Sequence, residues 1–330
     1  MNGVAQNPVQ TVMVRDLRKM LPVTAEYLRG GVDRQPNIPL PVHAPDLALA
    51  THNSPGVRVT WLGHSTMLVN VDGHTVLTDP VFSKRASPFQ WTGPARFHPV
   101  PITINELPPL AAVLISHDHY DHLDYQSVLA LARRGHRFVT ALGVGAHLEA
   151  WGIPPERITE LDWWDSVEIG GLTLTAAPAR HFSGRTVATG GNRTLWASWA
   201  FIGPRHRAWF SGDTGPFEAA AEIGARLGPF DLTMVESGAH HPAWGNIHLG
   251  PDEAVKMHAL VRGKTLLPVH WGTFNLALHA WDDPIVRVQE LAHAQDLQLA
   301  APIAGMTVEA HNPIIAPAWQ DRLRLRLERG

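Results

Sequence analysis

From residue 57 onward, apolar positions fall into short runs that either alternate with polar ones or lie solid, and each run closes on a turn residue. "VRVTWL" (57–62) and "TMLVNV" (66–71) are rich in β-branched residues and predict strands. "DG" at 72–73 then joins the second run to "HTVLT" as a two-residue hairpin. "AAVLIS" (111–116) predicts a short buried strand. "DYQSVLALARRG" predicts a helix with Asp124 as N-cap and Gly135 as stop. "SVEIGGLTLTAAPA" predicts a second hairpin, and "LWASWAFIG" and "RAWFSGD" two more strands, the latter ending at Asp213. "PFEAAAEIGARLG" predicts a helix with a Pro start and a Gly end. "DLTMVES" and "TLLPVHWG" predict buried strands, the second ending at His270. "PDEAVKMHALV" and "DPIVRVQELAHAQ" predict helices, with Pro near the start and acids in the first turn.

Strands come first, then strand and helix alternate, which predicts an α/β fold of two sheets with helices on the outer faces. Residues 1–56 are Pro-rich and weakly periodic, so they predict an irregular arm with one short helix near residues 11–20. Residues 57–315 form the single main domain in this reading, and 316–330 a C-terminal tail.

Composition narrows the function classes. The net charge of −3 gives no broad basic field for nucleic acid. The absence of Cys excludes disulfides and thiolate metal ligands. No long apolar segment opens the chain and no run reaches membrane-spanning length, so a cytoplasmic protein is expected. Twelve Trp leave peripheral membrane contact open, because indole suits an interface as well as a core.

The chemistry concentrates where the strand "AAVLIS" ends. His117, His119, Asp121 and His122 follow at spacings of two, two and one. Imidazole nitrogen and carboxylate oxygen suit Zn²⁺, and they also accept Mn²⁺ or Fe²⁺. Four ligands over-fill one ion that must keep an open position, so two ions sharing further ligands fit better. His181, Asp213 and His270 each stand where another apolar run meets a loop, and are the candidate partners. His64 and Asp79 leave strands of the same sheet, with Asp79 placed to accept from a ligand imidazole. Glu236, at the end of "DLTMVE", either faces the metals or caps its loop.

"HDHYDH" has the HxHxDH form and resembles the metallo-β-lactamase superfamily signature. "TDPVFSKRASP", "SGDTG" and "HWGTF" carry the likeness further, to the N-acylphosphatidylethanolamine-hydrolysing phospholipase D group and more distantly the ascorbate-6-phosphate lactonase group. The likeness runs from about Val57 to Phe274. It implies the αββα sandwich and two zinc ions. His117, His119 and His181 would hold one ion; Asp121, His122 and His270 would hold the other; Asp213 would bridge them. It also implies that His248, just ahead of a helix N-terminus, lies near a substrate phosphate.

The expected activity is zinc-dependent phosphodiester hydrolysis of N-acylphosphatidylethanolamine or a related glycerophosphodiester, through a hydroxide bridging the metals. The alternative is a lactonase or carboxylester hydrolase on a small, phosphorylated or neutral substrate. Asp121, Asp213 and His248 are the expected catalytic residues, and His248, His64 and Trp244 the expected substrate contacts. Phe89, Trp91, Trp151, Trp163, Trp164 and Trp244 are candidates to line an acyl groove.

Overall fold

The β-branched runs pair with their neighbours in sequence and build the first sheet outward. β1 (Val57–Gly63), β2 (Thr66–Val71) and β3 (His74–Thr78) form an antiparallel meander, with Asp72 and Gly73 both at positive φ in the connecting turn. β4 (Ala112–Ile115), β5 (Phe138–Ala141) and β6 (Ile158–Leu161) then add in parallel. The second sheet begins with β7 (Ser166–Ile169), β8 (Leu172–Ala177), β9 (Ser198–Ile202) and β10 (Arg207–Phe210), all antiparallel. It continues in parallel through β11 (Phe230–Glu236), β12 (Gly263–Val269) and β13 (Gln298–Leu299). β14 (Thr307–Glu309) returns to the first sheet and covers the free edge of β1. This computed structural model describes residues 3–11, 23, 25–26, 29–30, 32–185 and 191–328.

The helices are α1 (Leu47–Ala50), α2 (Tyr125–Arg133), α3 (Gly145–Ala150), α4 (Ala221–Arg226), α5 (Gly250–Leu260), α6 (Asp283–Gln295) and α7 (Pro317–Leu327). Strand periodicity divides the core between layers. Along β11, Leu232 and Met234 join the cluster that also holds Val59, Leu68 and Leu114 of the first sheet. Val235 instead joins Ile223 of α4, Val255 of α5 and Val288 of α6 beneath the helices. The result is a sandwich of two seven-stranded sheets with helices outside.

Several boundaries differ from the sequence reading. β10 ends at Phe210, so Asp213 stands on the loop beyond the strand. The helix expected from Pro216 starts as a 3₁₀ turn at Glu218–Ala220 before α4. The expected tail contains α7, whose Trp319 is 3% exposed and donates its indole N–H to Pro302 O at 2.9 Å. Trp319 meets Trp271 edge-on at 5.1 Å, and Trp271 stacks on Trp61 at 5.4 Å. The arm is tied down where described: Val42 bridges to Ala304, and Asp46 caps α1 by accepting from Leu49 N at 3.1 Å. The helix expected near residues 11–20 lies, from residue 12, outside the described residues. Among the described residues no helix is long and apolar enough to cross a membrane.

Candidate metal centre

Strands from both sheets end on one rim of the sandwich, and the polar residues just past those ends converge there. His64 follows β1, Asp79 follows β3 and His270 follows β12, each in the left-handed region (φ 55°, 34° and 63°). Such a backbone costs roughly 1–3 kcal/mol per non-glycine residue and persists only where the surroundings over-determine it. Here it swings each side chain off its strand toward the rim. A bulge between Trp61 and Gly63 helps to turn His64 inward, and a Cβ on Gly63 (φ 111°) would come within 2.8 Å of the His98 ring.

Two groups of nitrogen and oxygen atoms result around the "HDHYDH" loop, and a third, Asp213, Glu236, His248 and His270, lies beside them. His117, His119, His181 and Asp213 form one, with potential ligand atoms all within 4.8 Å of one another. His64, Asp121, His122 and His270 form the second on the same measure. Asp213 faces both. Its Oδ2 lies 3.8 Å from His117 Nε2 and 3.7 Å from His181 Nε2, while its Oδ1 lies 3.1 Å from His122 Nε2 and 3.2 Å from His270 Nε2.

Hydrogen bonds on the far side of each ring decide which nitrogen faces inward. His181 Nδ1 contacts Ile247 O at 2.8 Å, and a carbonyl only accepts, so Nδ1 carries the proton and Nε2 offers its lone pair. His122 Nδ1 lies 2.7 Å from Asp79 Oδ2, with the same consequence. Ser116 Oγ donates to that Asp79 oxygen at 2.7 Å and so accepts from His117 Nδ1 at 3.0 Å. One buried carboxylate thus sets the tautomer of a histidine in each group. The ring of His119 is turned the other way, with Nδ1 2.9 Å from His117 Nε2 and 3.2 Å from His181 Nε2.

The donor set fits divalent cations. His122 Nε2, His270 Nε2 and Asp213 Oδ1 are buried without a hydrogen-bond partner although they converge on one point. Orphaned polar atoms in a native interior call for a missing partner. Electrostatics agree. Burial pushes the Asp213 carboxyl up, but the charges of His122 and His270 outweigh it and hold the group well below the usual carboxylate range. Burial lowers His270, yet Asp213 and Asp121 raise it to about 10. Without cations, then, protons neutralise the clustered carboxylates. With nitrogen and carboxylate donors and no thiolate, the set suits Zn²⁺, Mn²⁺ or Fe²⁺.

The remaining expected residues divide. His64 does not sit at a substrate surface: it is 1% exposed, and its Nε2 contacts Asp121 Oδ2 at 3.0 Å. Burial is the largest cause that lowers its pKa to about 3, so it is neutral and donates to that carboxylate. Glu236 holds two neighbouring loops and the His248 ring. Its Oε1 accepts from Thr214 N at 2.9 Å and from Leu249 N at 3.2 Å, ahead of α5, while its Oε2 contacts His248 Nδ1 at 2.7 Å. Burial opposes protonation of His248, but the Glu236 charge wins and moves its pKa upward. The half-buried His248 ring packs against His181 and His270, at 5.0 and 5.4 Å. A Cβ on Gly215 would lie 1.7 Å from Asn246 O, so only glycine lets the Asp213 loop and the His248 loop touch.

Trp244 lines a cavity of about 770 Å³ with Pro94, Ala95, Leu276 and Leu278, next to the centre rather than in it. Phe89 and Trp91 stack at 5.6 Å and stand exposed on the loop that supplies Arg85 and Gly93 to the same cavity. Trp151, Trp163 and Trp164 belong elsewhere. Trp151 meets Tyr125 edge-on, Trp163 packs on the main core, and Trp164 lies under Arg226. Ser116 and Arg185 escaped the sequence reading. Arg185 donates to Asp118 O and Leu123 O at 2.7 and 2.8 Å, bracketing the "HDHYDH" loop. Arginine in a Gly-rich loop carries no local signal of such a role.

Comparison with known proteins agrees with this geometry. Residues 74–271 match the family described as the beta-lactamase superfamily domain. An uncharacterised protein of Mycobacterium tuberculosis is 47% identical over 289 residues, 86% of this chain and 77% of that one. The N-acyl-phosphatidylethanolamine-hydrolyzing phospholipase D 1 of Caenorhabditis elegans is 38% identical over 273 residues, 78% of this chain and 75% of that one. Among solved structures, a metallo hydrolase of the archaeon Ignicoccus hospitalis superposes with a TM-score of 0.58 at 22% identity, covering 77% of this chain and 97% of that one, and shares the fold.

Proposed function

Because the chain belongs to the beta-lactamase superfamily, we propose that it is a dinuclear, zinc-dependent hydrolase of phospholipase D type. Its substrate in this reading is N-acylphosphatidylethanolamine or a related glycerophosphodiester. The observation that carries the choice of a phosphodiester is the His248–Glu236 pair. A buried carboxylate lies 2.7 Å from His248 Nδ1 beside both ligand groups and moves the pKa of the imidazole upward. In the protonated ring the other nitrogen, Nε2, is a cationic N–H donor suited to an anionic phosphoryl oxygen.

When bound, a pair of divalent ions supplies activation of water and neutralises charge on the attacked group. The residues do the rest. His117, His119 and His181 would hold one ion, and Asp121, His122 and His270 would hold the other. Asp213, which faces both sets of ligands, would offset the mutual repulsion of the ions. Asp79 and Ser116 keep the imidazole lone pairs aimed inward, and His64 keeps Asp121 turned to the centre. His248 Nε2–H steadies the phosphoryl group and can release its proton to the departing oxygen. The apolar cavity beside Trp244 takes an acyl chain, and the exposed Phe89–Trp91 pair rests on the lipid surface that delivers it.

The test compares a chromogenic phosphodiester, N-acylphosphatidylethanolamine in mixed micelles and a neutral carboxylic ester on the zinc-loaded protein. His248→Ala should lower phosphodiester hydrolysis by about 10- to 100-fold, the weight of a charged hydrogen bond, with metal content unchanged. Faster turnover of the neutral ester or a lactone, with no dependence on His248, would assign the site to lactone or carboxylester hydrolysis instead.

A further inference from the structure

The N-terminal segment reaches across the molecule to the loop that carries His181. Beyond β8, residues 178–184 have no strand beside them, so their backbone polar groups need other partners. Asn7 supplies both for His181. Its Oδ1 accepts from His181 N at 2.8 Å, and its Nδ2 donates to His181 O at 2.8 Å. An amide side chain here makes the two bonds that a neighbouring strand would make. The next residue back is fastened to the same segment. The Arg180 guanidinium donates to Thr11 Oγ1 at 3.0 Å, to Gln10 O at 2.7 Å and to Pro216 O at 2.7 Å. Arg180 is 8% exposed, and those acceptors are all neutral. Its backbone meets the Asp213 loop as well, accepting from Gly215 N at 2.6 Å and donating to Thr214 Oγ1 at 2.9 Å.

We infer that residues 7–11 are a working part of the metal centre, with Asn7 the positioning residue for His181. The inference rests on the reading of His181 as a ligand. The ring is held at Nδ1 by Ile247 O, but the backbone from which the ring projects is held by Asn7. Without it, His181 Nε2 loses its fixed distance to His119 and Asp213.

The experiment uses the full chain loaded with cobalt, whose visible bands report ligand geometry. Asn7→Ala should alter those bands and loosen one of the two ions toward a competing chelator by about 10- to 100-fold, the effect of losing a partner behind a ligand. The metal-free variant should melt only a few degrees below wild type, the effect of two lost hydrogen bonds, and stay folded at the assay temperature. Asn7→Asp keeps the acceptor for His181 N–H but sets a carboxylate oxygen against His181 O, so it should not restore the affinity. Wild-type bands and chelator competition in Asn7→Ala, while His181→Ala loses the ion, would overturn the inference and leave the ligand reading standing. Both ions retained in His181→Ala would remove the ligand reading and the inference with it. A drop in metal-free melting that accounts for the whole loss of affinity would make Asn7 a general structural contact and likewise overturn it.

Discussion

Asp79→Asn separates the role of a single buried carboxylate from that of the ligands it serves. Asp79 is fully buried and ligates nothing in the assignment above, yet it takes hydrogen bonds from Ser116 N at its Oδ1 and from Ser116 Oγ and His122 Nδ1 at its Oδ2, each at 2.7 Å. An asparagine keeps the shape but has one acceptor. If its oxygen faces Ser116 N–H, its NH₂ faces His122 Nδ1–H. If it flips, the NH₂ faces Ser116 N–H. Either way a donor meets a donor. The first arrangement drives the His122 proton to Nε2 and closes the lone pair that faces the centre. It also reverses Ser116 Oγ, which then no longer accepts from His117 Nδ1. Losing such a partner weakens metal binding by about 10- to 100-fold, or roughly 1.4–2.7 kcal/mol at 1.36 kcal/mol per decade. The assay is competitive metal titration with a chromogenic chelator, read beside thermal melting of the metal-free protein. Because Ser116 extends the effect to His117, both ions should bind more weakly, the ion at His122 more so. Wild-type affinity at both positions would refute the tautomer argument.

Two further outcomes follow from the same structure. Burial lowers His122 and His270, but Asp213 and its neighbours raise both, His270 to about 10, so metal must displace protons near neutrality. Affinity should therefore strengthen by about tenfold per pH unit for each displaced proton between pH 6 and 8, and a flat profile would show the rings are already neutral. Trp319→Ala removes a side chain with 3% exposure from the Trp61–Trp271 stack and should cost about 3–5 kcal/mol in urea unfolding; a loss under about 1 kcal/mol would make α7 the dispensable tail that its polar composition suggests.

Local pattern determined a great deal here. Alternating and solid apolar runs place most strands within a few residues, because a strand buried on one or both faces leaves a period-two or continuous signature, whereas β5, β6, β13 and β14, at two to four residues, leave no distinct one. The "HDHYDH" loop announced a metal centre because so many imidazoles and carboxylates on one turn are costly without a compensating cation. His181, Asp213 and His270 were legible for a related reason, as polar residues at the close of apolar runs. Direction was not legible. His64 occupies the same kind of position and turned out to brace Asp121 from behind, since a bulge and a left-handed backbone, rather than residue type, decide where its ring points. Nor did the sequence distinguish Trp319 in a charged C-terminal stretch from a solvated residue, because α7 acquires its apolar environment from α6, Trp281 and Trp271, which only packing brings to it. The contacts that set tautomers and loop positions join residues far apart in sequence: Ser116 and Asp79 at the ends of neighbouring strands, Asn7 and His181 across 174 positions. Serine, asparagine and arginine are at home in any loop, so each carries no local sign of its partner. Only the pairing of β3 with β4 and the docking of the N-terminal segment bring these pairs within hydrogen-bond distance, and that step converts a list of plausible ligands into a centre with defined lone pairs.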